Sequence, residues 1–256
     1  NAIDIIDVSD PSSPSLVRSV DLSSYGSSVQ SVAVGDRLVA AAVAADDATA
    51  RGTVVTFRPN GRNIESYTVG VLPDAIAFTP DGSKIVVANE AEPVCDGDAL
   101  LRDPRGSISI IDVEADRVRT AGFARWIGKE NRLRNRGVRI FFPGSNAAQD
   151  LEPEYVTISR DGRRAYVTLQ ENNAVAVVNI ERARVARIIA LGYKDHSVAG
   201  NGLDPSNEDG GIAIGNWNVK GIYMPDAIAV VGGAKRPRNE KFVTANEGDA
   251  RDYDCY

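Results

Sequence analysis

The chain lacks several features that would place it in a known class of enzyme or membrane protein. No G-x-S-x-G motif is present, so nothing predicts the nucleophile turn of a serine hydrolase. No apolar run reaches the length of a membrane-spanning helix, and no secretory signal peptide is visible. Asn-X-Ser/Thr acceptors are absent, which excludes N-glycosylation of this segment.

Basic residues are outnumbered by acidic ones, and cysteines are few. The formal net charge of the 256 residues is −6, which argues against general nucleic-acid binding. The two cysteines, Cys95 and Cys255, both lie in polar, acidic stretches. In an exported protein such a pair would form a disulfide, and otherwise the two would be unrelated free thiols. With 43% hydrophobic residues the chain can bury a sizeable core.

A phrase recurs along the chain in four variants. Each variant holds two alternating apolar runs around a tight polar turn such as Pro80-Asp81-Gly82, which is the pattern of a β-hairpin. A third and a fourth apolar run follow, so each unit predicts a four-stranded antiparallel meander. The variants are SSVQSVAVGDRLVAAAVAADD at 27–47, LPDAIAFTPDGSKIVVANEAEP at 72–93, LEPEYVTISRDGRRAYVTLQENN at 151–173 and MPDAIAVVGGAKRPRNEKFVTANEGDA at 224–250.

The spacing of the repeat indicates a β-propeller. Val29 and Pro73, at corresponding positions of the first two units, are 44 residues apart, which is the length of a propeller blade. The chain opens on a third and a fourth strand and closes after a second strand, so we expect it to cover about half of a larger ring. The predicted fold class is therefore all-β, a β-propeller of four-stranded antiparallel blades. A β-sandwich of similar strand content is the alternative.

We expect a single partial propeller domain over residues 1–256, in which two inserted segments lengthen the later repeats. The first insertion is basic, and the second is rich in Gly, Asn and Asp. The predicted parts are the end of a blade at 1–26, blades at 27–71, 72–124 and 151–192, the basic insertion at 125–150, the Gly/Asn/Asp-rich loop at 193–223 and the start of a blade at 224–256.

The long loops of such blades emerge on one face of the disc, opposite the short turns, and they hold most of the acidic side chains. Carboxylates gathered around one channel mouth repel each other, so either some take up protons or a cation neutralises them. Two positions of the repeat should place their side chains at this channel mouth. The start of the innermost strand holds Asp74, Glu154 and Asp226, and the end of the second strand holds Glu90, Gln170 and Glu247.

Oxygen donors on flexible loops predict a hard cation, and Ca²⁺ is favoured over Mg²⁺ because it tolerates irregular coordination. The segment 204–211, DPSNEDGG, has the composition of a calcium loop but not the spacing of an EF-hand. The alternative is that these side chains are solvated loop acids, some of which cap turns. The candidate metal ligands are Glu90, Glu154, Glu247, Glu152, Asp226, Asp204 and Asp209.

Two other groups are candidates for chemistry. His196, the single histidine, follows Asp195, and the pair is a candidate for catalysis or metal binding, with a plain hydrogen-bonding role as the alternative. The basic stretch 123–144 predicts a short amphipathic helix that ends at Gly137. Its arginines would bind phosphate or another anion, or they form the solvated side of the helix. The candidate anion ligands are Arg132, Arg136 and Arg139.

Several strings are similar to one known family. The strings GVRIFFPGSNAAQDLEPEYVTISRDGRRAYVTLQENNAVAVVNI at 137–180, LGYKDHSVAGNGLDPSNEDGGI at 191–212, NWNVKGIYMPDAIA at 216–229 and VTANEGDARDYD at 243–254 resemble the choice-of-anchor I domain. That family includes the mesenchyme-specific cell surface glycoproteins of biomineralising animals and related bacterial and algal proteins. The resemblance implies a secreted or surface-anchored β-propeller, located outside the cell or at its surface, with further blades beyond Tyr256.

The resemblance also bears on metals and on the cysteines. Some family members are labelled alkaline phosphatases, and others are linked to calcium mineral deposition. Phosphatases with a propeller fold hold calcium and iron through carboxylates and a cysteine, and by that analogy Cys95 would be an iron ligand. The cysteines of this chain depart from the family pattern, so the resemblance favours a disulfide between Cys95 and Cys255.

Two hypotheses of function follow. In the first, an extracellular β-propeller binds Ca²⁺ on its loop face and serves as a structural or interaction protein of a cell surface or matrix, with the rest of the propeller as its partner. In the second, a metal-dependent phosphomonoesterase holds Ca²⁺ and a second metal such as Fe or Mg through Glu90, Glu154 and Glu247. A basic side chain or His196 would then stabilise the transferring phosphoryl group. Neither hypothesis predicts nucleic acid as a partner.

Overall fold

The computed structural model describes residues 1–96, 99–141, 146–232 and 240–248. Within these ranges it has three four-stranded antiparallel sheets that follow one another along the chain. Together they form a β-propeller, which confirms the predicted all-β class and the four-stranded blades. The strands are β1 (Ala2–Asp7), β2 (Ser15–Asp21), β3 (Ser28–Val34), β4 (Val39–Ala44), β5 (Arg51–Phe57), β6 (Glu65–Val71), β7 (Pro73–Phe78), β8 (Lys84–Asn89), β9 (Val94–Asp96), β10 (Ala99–Arg102), β11 (Ser107–Asp112), β12 (Arg117–Gly122), β13 (Val156–Ile158), β14 (Arg164–Leu169), β15 (Ala174–Asn179), β16 (Arg184–Ala190), β17 (Tyr193–Asp195), β18 (Lys220–Ile222), β19 (Pro225–Val231) and β20 (Lys241–Asn246).

Each blade pairs its strands in chain order. The first blade is β3-β4-β5-β6, the second is β7-β8-β11-β12, and the third is β13-β14-β15-β16. The small hairpin β9-β10 lies within the loop that joins β8 to β11. Before the first blade, β1 pairs with β2, and after the third, β19 pairs with β20, in each case antiparallel. A meander of this kind places the ends of β8 and β14 on the same face as the starts of β7 and β13.

The apolar side chains pack between successive blades. One cluster joins Val54 and Val69 of the first blade to Ile85 and Val87 of the second. A larger cluster joins the second blade to the third. Inner strands contact a neighbour on both faces, and β4 is accordingly buried along its whole length, with the sequence VAAAVA. Burial of apolar area between blades is thus what holds the propeller together.

Aspartates hold the short turns on the face opposite the long loops. In the second blade the Asp81 carboxylate accepts hydrogen bonds from the Thr79 hydroxyl at 2.7 Å and from the Ser83 N–H at 3.1 Å. These bonds lower the pKa of Asp81 to about 2. Asp161 plays the same part in the third blade, where Ser159 donates at 2.7 Å. Carboxylates of this kind are structural and stay ionised.

The basic insertion and the Gly/Asn/Asp-rich loop both contain regular elements in their described parts. The insertion holds a 3-10 turn (Ala124–Trp126) and the helices α1 (Glu130–Arg134) and α2 (Ala147–Asp150). Helix α1 is shorter than the predicted helix, and the chain reverses at Gly137, where φ is 89°. In the second segment the Trp217 indole N–H donates to the Leu203 carbonyl at 3.1 Å. None of the helices in the described ranges is long and apolar enough to span a bilayer.

Buried asparagines fasten the blades at the loops between the second and third strands, where Asn89 ends β8 and Asn173 directly precedes β15. The Asn89 amide donates to the Ser107 carbonyl at 3.0 Å and to the Ser109 hydroxyl at 3.1 Å, and its oxygen accepts from the N–H of Gly70 in the preceding blade at 3.0 Å. Asn173 is equally buried, and its oxygen accepts from the N–H of Tyr223 at 3.1 Å. Each amide therefore joins three backbone segments that would otherwise leave polar groups unpaired.

Replacing Asn89 by Ala should lower the free energy of unfolding by about 2–4 kcal/mol, because it removes several buried hydrogen bonds and leaves the Gly70 N–H unpaired. Equilibrium urea unfolding measures this loss. The matched control is Asn60→Ala, which removes one bond to the Arg62 N–H in an exposed turn and should cost less than about 1 kcal/mol. Equal losses in the two variants would show that Asn89 does not fasten the blades.

Candidate metal centre

Three carboxylates from two adjacent blades converge on the long-loop face. Glu90 follows β8 of the second blade, while Glu154 precedes β13 and Glu171 follows β14 of the third. One carboxylate oxygen of each lies within 4.8 Å of the other two. Glu171 is buried, with 7% of its surface exposed, and the other two are half-buried. We call these three residues the carboxylate cluster.

Backbone hydrogen bonds set the positions of Glu90 and Glu154. The Glu90 N–H donates to the Leu72 carbonyl at 2.8 Å, and the Glu154 N–H donates to the Thr168 carbonyl at 3.1 Å. Directly after Glu90 the chain turns at Ala91, which has a left-handed φ of 67° and is fully buried. The loops that carry the carboxylates are therefore fixed by the sheet and by a constrained turn.

Burial and mutual repulsion hold protons on the cluster. Burial raises the pKa of Glu90 to about 11, and the carboxylate of Glu154 is the next largest cause. Burial likewise raises the pKa of Glu154 to about 8, and Asp74 and Glu171 add to the rise. The one opposing effect on Glu154 is a hydrogen bond from Glu90, which lowers its pKa. A cation beside Glu90 and Glu154 would favour the ionised form of both groups at neutral pH.

Further carboxylates extend this negative surface. Burial raises the pKa of Asp74 to about 6, with Asp226 as the next cause, and burial followed by Glu247 raises the pKa of Asp226. Glu247 accepts a hydrogen bond from the Gln170 amide at 3.1 Å. Glu152 is 2% exposed and adds to the raised pKa of Glu90. Five of the seven sequence-predicted ligands thus belong to one group of neighbouring carboxyl groups, and they are Glu90, Glu154, Glu247, Glu152 and Asp226.

The remaining two predicted ligands lie elsewhere. Asp204 accepts hydrogen bonds from the Ser206 N–H at 3.3 Å and from the Ala213 N–H at 2.9 Å, so its oxygens shape the loop 204–213. Asp209 is exposed in the same loop. Neither belongs to the carboxylate cluster. In the segment 204–211, Asp and Ser side chains bond nearby backbone N–H groups and so form turns. Metal binding by Asp204 and Asp209 stays a prediction.

The catalytic candidates also take part in loop structure. The Asp195 carboxylate accepts from the Ser197 N–H at 3.0 Å and from its hydroxyl at 2.6 Å. The His196 Nδ1 lies 2.7 Å from the Asn201 carbonyl, so Nδ1 carries the proton and donates it. These contacts give both residues a structural role within the loop 193–223. Their catalytic role stays a prediction.

Of the predicted anion ligands, one supports the metal centre and two lie on the surface. The Arg139 guanidinium donates to the Glu171 carbonyl at 3.0 Å and stacks on the Phe141 ring at 5.3 Å. It therefore braces the backbone of the cluster loop. Arg132 and Arg136 are exposed on the basic insertion. Anion binding by the three arginines stays a prediction.

Cys95 is disulfide-bonded, so it is not a free thiol in the structure. Cys255 lies outside the described residues, and its pairing with Cys95 stays a prediction. The disulfide argues against Cys95 as an iron ligand, since a metal ligand is a thiolate.

Glu171 belongs to the carboxylate cluster but is not among the seven candidate ligands named from the sequence. The repeat position equivalent to Glu90 holds Gln170, whose amide instead bonds Glu247. The carboxylate that joins the cluster belongs to the next residue along the chain. The connection from β14 to β15 is a tight turn. A repeat alignment that allows a shift of one residue there would have included Glu171.

What the cluster can do follows from its donors. All three ligand groups are carboxylates, a set that suits a hard cation such as Ca²⁺ or Mg²⁺. The residues also fit a cation electrostatically. Burial and the negative charge of neighbouring carboxylates raise the pKa of Glu90 and Glu154, and a cation among them would offset both effects. An ion held there would join the second blade to the third.

Comparison with known proteins defines the family. A search among curated proteins gave no match. Among solved structures the chain is similar to the β-propeller domain of the Trilobed protease from Pyrococcus furiosus, a propeller with an open velcro topology, at 12% identity and a TM-score of 0.38. That alignment covers 63% of this chain and 43% of the other. A family model described as the choice-of-anchor I domain matches residues 1–256. The chain therefore belongs to the choice-of-anchor I domain family, as a surface-type β-propeller protein.

Proposed function

We propose that the protein binds Ca²⁺ at the carboxylate cluster and serves outside the cell as a structural or interaction protein of a cell surface or matrix. The observation that supports this proposal is the convergence of Glu90, Glu154 and Glu171 within 4.8 Å. These side chains come from two blades, so a divalent ion would cross-link the blades and offset their repulsion. A surface protein that meets abundant Ca²⁺ would gain rigidity from such a link.

The chemistry of the donors favours Ca²⁺ over iron or other transition metals. The cluster contains neither histidine nor thiolate, and those are the ligands that transition metals prefer. Ca²⁺ accepts six to eight oxygen ligands in irregular geometry, and neighbouring carboxylates such as Asp74 are available to add oxygens. Mg²⁺ would demand near-octahedral geometry, which three loop carboxylates do not impose.

A phosphomonoesterase is the second hypothesis, and the geometry gives it less support. Such an enzyme needs a cation or a proton donor beside the metal to stabilise the phosphoryl group. The Arg139 guanidinium is occupied by the Glu171 carbonyl and the Phe141 ring, and His196 is bonded within its own loop. We therefore place the non-catalytic function first.

Replacing Glu154 by Gln should weaken Ca²⁺ binding at least tenfold, because it removes one of three anionic ligands without changing the shape of the side chain. Isothermal titration calorimetry on metal-free protein at pH 7.5 measures the affinity. Without Ca²⁺ the same variant should melt at a higher temperature than the parent, since Gln is neutral at every pH and needs no proton to be buried there. The matched control is Glu114→Gln, an exposed residue in a turn of the second blade. Equal affinity in the two variants would refute the site.

The melting temperature of the metal-free protein should fall as pH rises from about 4 to about 8. Folding raises the pKa of Asp74 from 3.8 to about 6 and that of Glu154 from 4.5 to about 8. A carboxyl with a raised pKa favours the folded state below its unfolded pKa and loses that contribution as pH rises through its folded pKa.

The measurement is calorimetric melting across this range, with and without Ca²⁺, for the parent and Glu154→Gln. Ca²⁺ should restore the loss at pH 8 and have little effect at pH 4.5, where protons occupy the carboxylates. The decline should be smaller in Glu154→Gln. A decline of the same size in both proteins would assign it to other groups.

Hydrolysis of p-nitrophenyl phosphate separates the two hypotheses. With Ca²⁺, Mg²⁺ or Fe²⁺ added, we expect no turnover that Glu90→Gln abolishes, because Arg139 and His196, the two candidates for stabilising a phosphoryl group, are held by other contacts. The assay runs at pH 7.5 and pH 9.5, with a chelator control. Turnover that disappears both in chelator and in Glu90→Gln would establish the phosphatase and reject the non-catalytic function.

A further inference from the structure

The outer edge of the second and third blades is strongly basic in an otherwise acidic chain. It consists of β12, the insertion that follows as far as Arg139, and β16. Residues 117–139 and 184–190 hold nine arginines, one lysine and a single acid, Glu130. This gives the edge a net charge of +9, whereas the whole chain carries −6, so that all other residues together carry −15. We call these two segments the basic rim.

Contacts across the two blades fix the basic rim as one surface. The Arg119 guanidinium on β12 donates to the Glu181 carbonyl at 2.6 Å, just before β16. The Arg125 guanidinium of the insertion donates to the Val185 carbonyl of β16 at 3.2 Å. Trp126 and Leu133 of the insertion are buried in the same apolar cluster as Val185. The three elements of the rim are thus in direct contact.

In the described part of the chain, carboxylates offset little of the positive charge of the basic rim, where Arg117 lies near Asp112 and Arg134 near Glu130. Arg119, Arg125 and Arg134 bond backbone carbonyls, which are neutral. The carboxylate of Glu130 accepts from the N–H groups of Gly128 and Ala147. Four exposed arginine side chains of the rim make neither a hydrogen bond nor an ion pair in the described part of the chain. They are Arg132, Arg136, Arg184 and Arg187.

The composition of the rim points to a particular ligand chemistry. Guanidinium groups bind sulfate, phosphate and carboxylate through two parallel hydrogen bonds, and they are preferred over lysine where such bidentate contacts matter. The cations are spread along two strands and an insertion rather than gathered in a pocket. This distribution suits a polymer that carries many anionic groups.

We propose that the basic rim binds an acidic polysaccharide, one that carries sulfate or carboxylate groups. Nucleic acid fits less well, because the rim aromatics Phe123 and Trp126 are 1% and 9% exposed and offer no platform for stacking bases. An anionic membrane fits less well too, because Ile127 is the one large apolar side chain exposed in the two rim segments and interfacial binding needs a broad apolar face. The proposal does not depend on the carboxylate cluster.

The test compares two triple variants of equal charge. Arg132→Gln, Arg136→Gln and Arg187→Gln together remove exposed rim charges, and Arg37→Gln, Arg58→Gln and Arg62→Gln together remove exposed charges of the first blade. Calorimetry measures the affinity for dextran sulfate and for polygalacturonate between 50 and 300 mM NaCl, with uncharged dextran as the polymer control. Circular dichroism and melting show whether each variant is folded.

The rim variant should bind at least one acidic polymer ten or more times more weakly than the parent. The slope of log K against log [NaCl] should also be smaller in magnitude by about two to three, because three fewer arginines displace counterions from the polymer. The first-blade variant should retain the parent's affinity. Three results would overturn the proposal: equal weakening in both variants, binding of uncharged dextran, or equal affinity for a 30-base-pair DNA duplex or phosphatidylserine vesicles.

Discussion

Repulsion between carboxylates buried where two blades meet is the constraint on which the rest of the long-loop face depends. Glu90, Glu154 and Glu171 converge within 4.8 Å, and burial with like charge raises the pKa of Glu90 to about 11. Groups in such a position are neutralised by protons or by a cation. The surrounding structure resists relaxation, because Asn89 and Asn173 fasten the adjoining loops to the sheets. The fold thus maintains an arrangement that the side chains alone would not adopt.

The two charged surfaces of the molecule are built in different ways. The carboxylate cluster comes from loop residues whose side chains are brought inward by short backbone bonds, so its charge is concentrated and desolvated. The basic rim comes from outer strands and an insertion whose side chains stay in water, so its charge is spread out and sensitive to salt. The first arrangement suits a single small ion, and the second suits a long polymer.

Much of the fold could be predicted from the sequence, because a blade repeats the same physical pattern. The alternating apolar runs around Pro80-Asp81-Gly82 and around Asp161 predict which strands pair and where the chain turns. Because the pattern recurs, each copy supports the strand assignment of the others. The repeat also placed Glu90 and Glu154 at one mouth, since equivalent positions of a ring meet there. Metal binding by Asp204 stays a prediction, because composition alone does not distinguish a calcium loop from a turn whose Asp bonds its own backbone.

Other parts of the site depend on geometry that no repeat encodes. Glu171 enters the cluster because the tight turn after β14 turns that residue inward, while Gln170 bonds Glu247. Arg139 could equally have faced solvent, and only its contacts with the Glu171 carbonyl and Phe141 reveal a bracing role. Side-chain direction at the end of a strand changes with one residue of register, which is why a one-dimensional pattern identifies the mouth but not every ligand.

One methyl group beside Glu90 has a consequence for the interior. The last repeat places Gly248, with φ of 88°, where this blade has Ala91 with φ of 67°. A left-handed alanine costs about 1 kcal/mol more than glycine would, and in return its fully buried methyl fills space next to the acid. Glycine at position 91 would relieve this strain, but it would also give the unfolded chain more backbone freedom to lose on folding. Alanine therefore restricts the unfolded loop that carries Glu90, at the expense of strain in the folded one.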